Sequence, residues 1–324
     1  MKNFYVPPTL SFLILILVFL GSAQMSLAQR SPMLVTMPNL NVRANASATA
    51  TVVQKLSIGT VITPSERGRQ KVVLNEVEDF WYKVTARGKT GWVFGGFLKP
   101  FDATQKDEAY QSIVRPRMRA EAKVFEDETD LYGFLTKAIA EAEDRAIKAE
   151  FELAQLVILK RSLTLIDLQN MRLYRNWINA RKTDIVFSEP SAQYLIKSDL
   201  IWALQDKYKD LAFADRIAYE AAITDLPGEC EASLTCEIIL KNMRQMRYLA
   251  LYPDGVYTDK ILNELDVDAQ NILDNLGAYT ISKSSLPDLN TAFSELLATL
   301  QSLENPKAVE TASKFNQIIR RVLK

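Results

Sequence analysis

Histidine is absent from the 324-residue chain. No histidine metal ligand, histidine general base, or Ser-His or Cys-His pair can therefore form, which excludes most zinc hydrolases and triad enzymes. No Ser is followed three residues later by Lys, and no Gly-x-Ser-x-Gly occurs, so two further nucleophile patterns are missing. We expect no catalytic residue, no cofactor and no metal. A pair of carboxylates for glycan hydrolysis stays open, because the chain carries 39 Asp and Glu and no pair stands out.

Long apolar runs are missing except near the N-terminus. Residues 10–20 are apolar apart from Ser11, follow Lys2, and precede Ser26-Leu27-Ala28. A run of about 11 residues is too short for a span, which needs ~18–20, whereas it suits the apolar part of a signal peptide. The pattern predicts a signal peptide over residues 1–28, cleavage before Gln29, and a periplasmic or extracellular protein without a membrane span after cleavage.

Cysteine is scarce, with Cys230 and Cys236 only. Export makes a disulfide the default state of such a pair. On one continuous helix the two Cα atoms would lie about 9 Å apart, too far for a bridge. We therefore expect Cys230 in the loop after Pro227-Gly228 and Cys236 in the first turns of the next helix. A redox or metal pair is the alternative, but further Cys or His partners and a two-residue spacing are missing.

Neither sign of charge is in excess overall, since the chain has 39 Lys and Arg and 39 Asp and Glu. The balance is uneven along the chain, because residues 30–100 hold ten Lys or Arg against four Asp or Glu. Residues 101–324 hold 28 basic and 35 acidic side chains. A basic exported module suits an anionic envelope polymer, through an attraction that salt screens. The alternative is that the two oppositely charged parts face each other.

Residues 33–100 have the period-two pattern of short strands. Leu40 and Val42 alternate with polar neighbours, and further β-branched runs are separated by turn signals. Arg87-Gly88 predicts a tight hairpin between residues 80–85 and 90–94, with Gly88 at a positive φ. Strands of this length and spacing predict a small all-β barrel or sandwich.

These residues resemble the bacterial SH3-like (SH3b) domain in order and spacing across about a fifth of the chain. The resemblance rests on Leu40-Asn41-Val42-Arg43, Val53…Leu56…Gly59-Thr60-Val61, Trp81-Tyr82-Lys83-Val84 and Gly88-Lys89-Thr90-Gly91-Trp92-Val93. It implies a barrel of five to seven strands that binds peptidoglycan peptides or protein partners. One departure is Ala44-Asn45-Ala46-Ser47, where many members have a Gly-containing turn.

A ligand groove is the expected site on this domain. Trp81, Tyr82, Trp92, Phe94 and Phe97 place five aromatics in 17 residues, more than so small a barrel can bury. We predict a groove formed by Arg43, Trp81, Lys83, Trp92 and Phe94. The alternative is packing, since Tyr82 lies on the inward phase and Trp92 follows the turn glycine.

Residues 104–324 have the three- and four-residue apolar spacing of amphipathic helices. Breaks fall at Pro116, Ser188-Glu189-Pro190, Leu226-Pro227-Gly228, Pro253-Asp254-Gly255, Gly277 and Asn305-Pro306. We predict an all-helical bundle or solenoid, which makes the whole chain an α+β multidomain protein. Residues 246–258 resemble the aromatic-Pro-x-Gly turn of tetratricopeptide-like helical hairpins, although no second copy occurs at a 34-residue period.

Three functions follow for this organisation. The first is a non-catalytic envelope protein whose barrel binds peptidoglycan or an envelope protein, with the helices as an interaction scaffold and no nucleic-acid partner. The second is a structural or oligomeric helical protein in which the barrel is a packing unit. The third is a carboxylate-dependent glycan hydrolase with its acids in the helical region.

Overall fold

The computed structural model describes residues 31–322, so the predicted signal peptide over residues 1–28 lies outside the described residues. The chain divides into two compact units, with the boundary between Glu143 and Asp144. We call residues 31–143 unit 1 and residues 144–322 unit 2.

Unit 1 begins with eight strands, which we call the strand module. They are β1 (Met33–Val35), β2 (Leu40–Arg43), β3 (Val52–Leu56), β4 (Val61–Ile62), β5 (Glu66–Leu74), β6 (Val77–Ala86), β7 (Lys89–Phe94) and β8 (Leu98–Pro100). Antiparallel pairing arranges them in a five-stranded sheet, in the order β3-β2-β7-β6-β5, and a three-stranded sheet, in the order β4-β1-β8. The prediction of a strand-rich N-terminal region is confirmed. Its strands form two sheets.

The predicted hairpin between β6 and β7 is present. Ala86 pairs with Lys89, which leaves a two-residue turn. Arg87 and Gly88 both have positive φ angles, 49° and 75°, as the turns that match the twist of a hairpin require. Glycine takes this conformation without steric cost.

The core of the strand module follows the alternation seen in the sequence. Val42, Val84 and Val93 are fully buried and pack with Leu40 and Leu56. Tyr82 packs against the same cluster, so its predicted inward phase is confirmed. The residues between them point to the opposite face, where the predicted groove residues lie.

Two helices complete unit 1, α1 (Lys106–Met118) and α2 (Phe125–Glu141). One carboxylate oxygen of Asp130 in α2 accepts hydrogen bonds from the backbone N–H groups of Asn39 (3.0 Å) and Ile58 (2.9 Å). The Phe134 ring lies against Gly59. We predicted one helical domain over residues 104–324, which includes these two helices, but they pack on the strand module. Helical periodicity identifies an apolar face and does not identify the element that packs against it.

Unit 2 is mainly helical. Its helices are α3 (Arg145–Thr164), α4 (Arg175–Asn179), α5 (Ser198–Lys207), α6 (Ala214–Ala222), α7 (Leu234–Lys241), α8 (Arg247–Leu251), α9 (Thr258–Asp274), α10 (Leu286–Gln301) and α11 (Pro306–Val322). A π-helical turn, Asn242–Met246, joins α7 to α8. Residues of α5 to α11 share one large apolar core with the start of α3.

A hairpin corrects the prediction that residues 104–324 are all helical. Strands β9 (Ile185–Ser188) and β10 (Gln193–Ile196) pair antiparallel around Glu189-Pro190-Ser191-Ala192. We read Pro190 as a break between helices. The flanking β-branched and aromatic residues make it a hairpin turn instead, with Ala192 at φ 52°.

The two cysteines are joined by a disulfide, with their Cα atoms 5.3 Å apart. Cys230 lies in the loop before α7 and Cys236 in the first turn of α7, as predicted. The Ser233 hydroxyl caps this helix by accepting from the Cys236 N–H.

The Tyr252-Pro253-Asp254-Gly255 turn joins α8 to α9, as the sequence indicated. The buried Asp215 carboxylate holds it, accepting from the Tyr248 hydroxyl (2.5 Å) and the Val256 N–H (2.7 Å). Burial and the neighbouring carboxylate raise the pKa of Tyr248 well above its ordinary value, so the hydroxyl keeps the proton that it donates.

Candidate functional site

Three predicted groove residues stand side by side across the five-stranded sheet. Arg43 on β2 is the register partner of Trp92 on β7, and Trp92 is the partner of Lys83 on β6. Lys83 is paired in turn with Glu66 on β5. Side chains at paired positions share a face, so basic residues occupy the positions on both sides of the half-buried Trp92.

The two cations in this row differ in what they contact. The Lys83 ammonium lies 3.4 Å from the Glu66 carboxylate and 5.7 Å from the centre of the Trp92 ring. An exposed pair of this kind is weak. Arg43 donates from Nη1 to the Ala50 carbonyl at 2.7 Å. The guanidinium has four further N–H donors, and the bond to Ala50 holds it over the adjacent pocket.

Trp81 and Phe94 are buried, with 4% and 2% of their surface exposed. We expected them in an exposed aromatic platform. They are register partners whose rings meet edge to face at 5.8 Å, and Phe97 lies 5.5 Å from Phe94. Gly68 of the edge strand β5 lies beside the Trp81 backbone, where an added Cβ would be 3.2 Å from the Trp81 carbonyl oxygen. Period-two alternation placed both aromatics on this face but could not show that they are buried.

A pocket of about 290 Å³ lies beside this aromatic layer. Its lining combines apolar walls with amide and guanidinium groups, contributed by Leu40, Asn41, Arg43, Ala48, Leu74, Asn75, Trp81, Phe94 and Phe97. Arg43, Trp81 and Phe94 thus come together as predicted site residues in one pocket. Lys83 and Trp92 do not line it and lie in the neighbouring row.

Asn41 is the pocket residue that our sequence reasoning missed. Its Oδ1 is buried and has no hydrogen-bond partner among the described residues. An unmet buried acceptor costs about 1–3 kcal/mol, so this amide is placed at a cost to stability. The sequence could have indicated Asn41, because it precedes Arg43 by two residues on one strand and therefore lies on the same face.

The tip of the β5–β6 hairpin closes one side of the pocket. Leu74 and Asn75 line it, and Asn75 and Glu76 have positive φ angles of 48° and 65°. Asparagine tolerates the left-handed region better than most side chains, whereas Glu76 there is unusual. The hairpin tip therefore shares this pocket with Leu40 and Asn41 of β2.

Within residues 31–322, every helix is too short or too polar to cross a lipid bilayer. In the same range, Asp, Glu and Cys side chains form no group of three or more arranged to hold a metal ion.

Comparison with known proteins agrees with the geometry of the strand module. Residues 38–99 match the family model described as the bacterial SH3 domain. No curated protein and no solved structure matches the chain. The match runs from β2 to β8 and includes all five predicted groove residues. The strand module of this chain is therefore a bacterial SH3 domain.

Proposed function

We propose that this chain is a non-catalytic, exported envelope protein whose SH3 domain binds a peptide of peptidoglycan. The pocket that brings Arg43 and Asn41 together with the buried Trp81 and Phe94 is the observation that carries the proposal. The family match supports a binding role for the module. Unit 2 supplies a helical scaffold for protein partners.

The pocket suits a short peptide with small side chains and a carboxylate. Asn41 in the pocket lining carries an amide suited to a peptide group, and Arg43 takes a carboxylate through a charge-assisted hydrogen bond. The Leu40, Leu74 and Phe97 walls receive aliphatic groups such as alanine methyls. Peptidoglycan peptides combine these three features, with free carboxylates on a repeating anionic polymer.

Long-range charge favours the same ligand. The excess of ten Lys or Arg over four Asp or Glu in residues 30–100 accelerates encounter with an anionic polymer and weakens with salt. The pocket contacts are short-range and survive salt. These two contributions can therefore be separated by ionic strength.

The experiment is co-sedimentation of the chain from Gln29 with purified peptidoglycan, at low salt and at about 0.3 M salt. The combined variant Asn41→Ala/Arg43→Ala should bind at least about tenfold more weakly at high salt, since each lost bond contributes on the order of 1 kcal/mol. Lys55→Ala is the matched control, because Lys55 is exposed in the same domain and outside the pocket.

Each result has a defined meaning. Equal binding by the folded Asn41→Ala/Arg43→Ala variant would refute the pocket assignment. Binding that disappears in salt would assign it to charge alone, and absence of binding at either salt would favour a protein ligand or the structural role. Soluble muropeptides released in the same incubations would overturn the non-catalytic part of the proposal.

A further inference from the structure

A second surface, in unit 2, projects large apolar side chains into solvent. We call residues 168–182, between α3 and β9, the basic loop; it contains α4. Leu168 and Leu173 in it are 63% and 79% exposed. Single exposed leucines are common on protein surfaces. Apolar side chains exposed close together more often mark an interaction site.

The basic loop is a folded element. Ile166 and Ile178 on either side of its tip are buried, at 0% and 5% exposure. The Asp167 carboxylate accepts from the N–H groups of Gln169 and Asn170, and the Asn170 amide donates to the Leu165 carbonyl at 3.0 Å. These anchors hold Leu168 and Leu173 outward, so their exposure follows from the packing of the loop.

The charge of the basic loop is of one sign. It contains Arg172, Arg175, Arg181 and Lys182 and no acidic residue, whereas the rest of residues 144–324 holds eighteen Lys or Arg against twenty-five Asp or Glu. Arg172, Arg175 and Lys182 are exposed, and none forms an ion pair within the described part of the chain. Arg181 lies over the Trp177 ring at 4.0 Å.

We propose that the basic loop docks unit 2 on the surface of an anionic lipid bilayer. Leu168 and Leu173 enter the boundary between headgroups and acyl chains, while Arg172 and Arg175 contact lipid phosphates. Exposed leucines beside Arg and Trp, with no acid between them, are the composition of interfacial membrane elements. A protein interface would need a broader complementary surface, and an anionic polymer would leave the leucines in water.

This attachment is independent of the SH3 pocket. It uses other residues in the other compact unit, and it needs no spanning helix. A protein with both sites would connect a lipid surface to the envelope polymer that its SH3 domain binds.

The test is flotation of the chain from Gln29 with vesicles of phosphatidylcholine alone or with phosphatidylglycerol added. We expect binding to the anionic vesicles. Arg172→Gln/Arg175→Gln should weaken it about 25-fold, at about fivefold per cation. Leu168→Ser/Leu173→Ser should weaken it at least about tenfold, through lost apolar burial, and should do so at high salt as well.

Matched controls use equally exposed positions elsewhere in unit 2. Val256→Ser removes an 84% exposed apolar side chain, and Lys209→Gln/Arg320→Gln removes two exposed cations; both variants should bind as the unchanged protein does. Absence of vesicle binding by the folded protein would overturn the proposal. Equal binding by the leucine variant would do the same, as would equal binding to both vesicle types. Peptidoglycan co-sedimentation should be unchanged in all four variants, which separates this result from that of the SH3 site.

Discussion

Single residues show how closely the SH3 domain and α2 fit together. Gly59 has a φ of 75°, and an added Cβ would lie 2.0 Å from the Phe134 ring. Gly133, one residue before that phenylalanine, is exposed and has open space at its Cβ position. One glycine is therefore required by backbone and packing, and the other is a replaceable residue inside a helix.

The two glycines predict opposite effects of the same substitution. Gly59→Ala should lower the free energy of unfolding by roughly 3 kcal/mol or more, from the strained φ and the overlap with Phe134. Gly133→Ala should raise it by about 0.5–1 kcal/mol, because alanine is the better helix former. Urea unfolding of both variants checks this, and a loss at Gly133 or a neutral result at Gly59 would contradict the packing described here.

The groove was only partly predictable at this scale. Spacing along β2, β6 and β7 placed Arg43, Lys83 and Trp92 on one face. Spacing did not show that the Trp81 and Phe94 rings pack on each other and that Phe97 packs on Phe94.

At the scale of elements, a buried carboxylate in unit 2 links two helices through ion pairs. Asp266 of α9 forms ion pairs with Lys307 and Lys314 of α11, both at 2.8 Å. Burial by itself would raise the pKa of Asp266, but hydrogen bonds and charge from the two lysines lower it below its ordinary value. The pair of helices is therefore more stable when Asp266 is ionised.

This link predicts a pH dependence. A carboxylate whose folded pKa is depressed contributes its full stability above about pH 4 and loses it as the pH falls through the folded pKa. Asp266→Asn should lower the free energy of unfolding at pH 7 by roughly 1–3 kcal/mol, less than for fully buried pairs because both lysines are partly exposed.

The difference between Asp266→Asn and the unchanged protein should shrink as the pH falls below about 4. Denaturant unfolding at several pH values measures it, with the exposed Asp288→Asn of α10 as the matched control. A difference in the free energy of unfolding that stays constant with pH would show that Asp266 contributes through packing and not through its charge.

At the scale of the whole molecule, the SH3 domain and helices α1 and α2 belong to one compact unit that ends at Glu143. The N–H groups of Asn39 and Ile58 bond to Asp130, and Phe134 covers Gly59. The family match ends at residue 99, about forty residues before unit 1 ends. The matched domain therefore depends on helices that lie outside the match.

Two fragments test this dependence. Residues 29–143 should unfold cooperatively on heating, because that fragment keeps both helices and their partners. Residues 29–103 should melt at a lower temperature, since two backbone donors lose Asp130 and apolar surface loses Phe134. Circular dichroism melts compare them, and equal melting temperatures would place the folding boundary at residue 103 instead.

The sequence by itself determined that residues 33–100 form short strands, the Arg87-Gly88 turn, the inward face of β2 and β6, the helical character of most of unit 2, and the disulfide. Those features are local, because turn residues and side-chain periods act over a few positions. Only the tertiary structure decided which apolar faces meet. It assigned α1 and α2 to unit 1, buried Trp81 and Phe94, left the Asn41 Oδ1 without a hydrogen-bond partner among residues 31–322, and exposed Leu168 and Leu173. A period identifies a face, but what covers that face depends on residues distant in the chain.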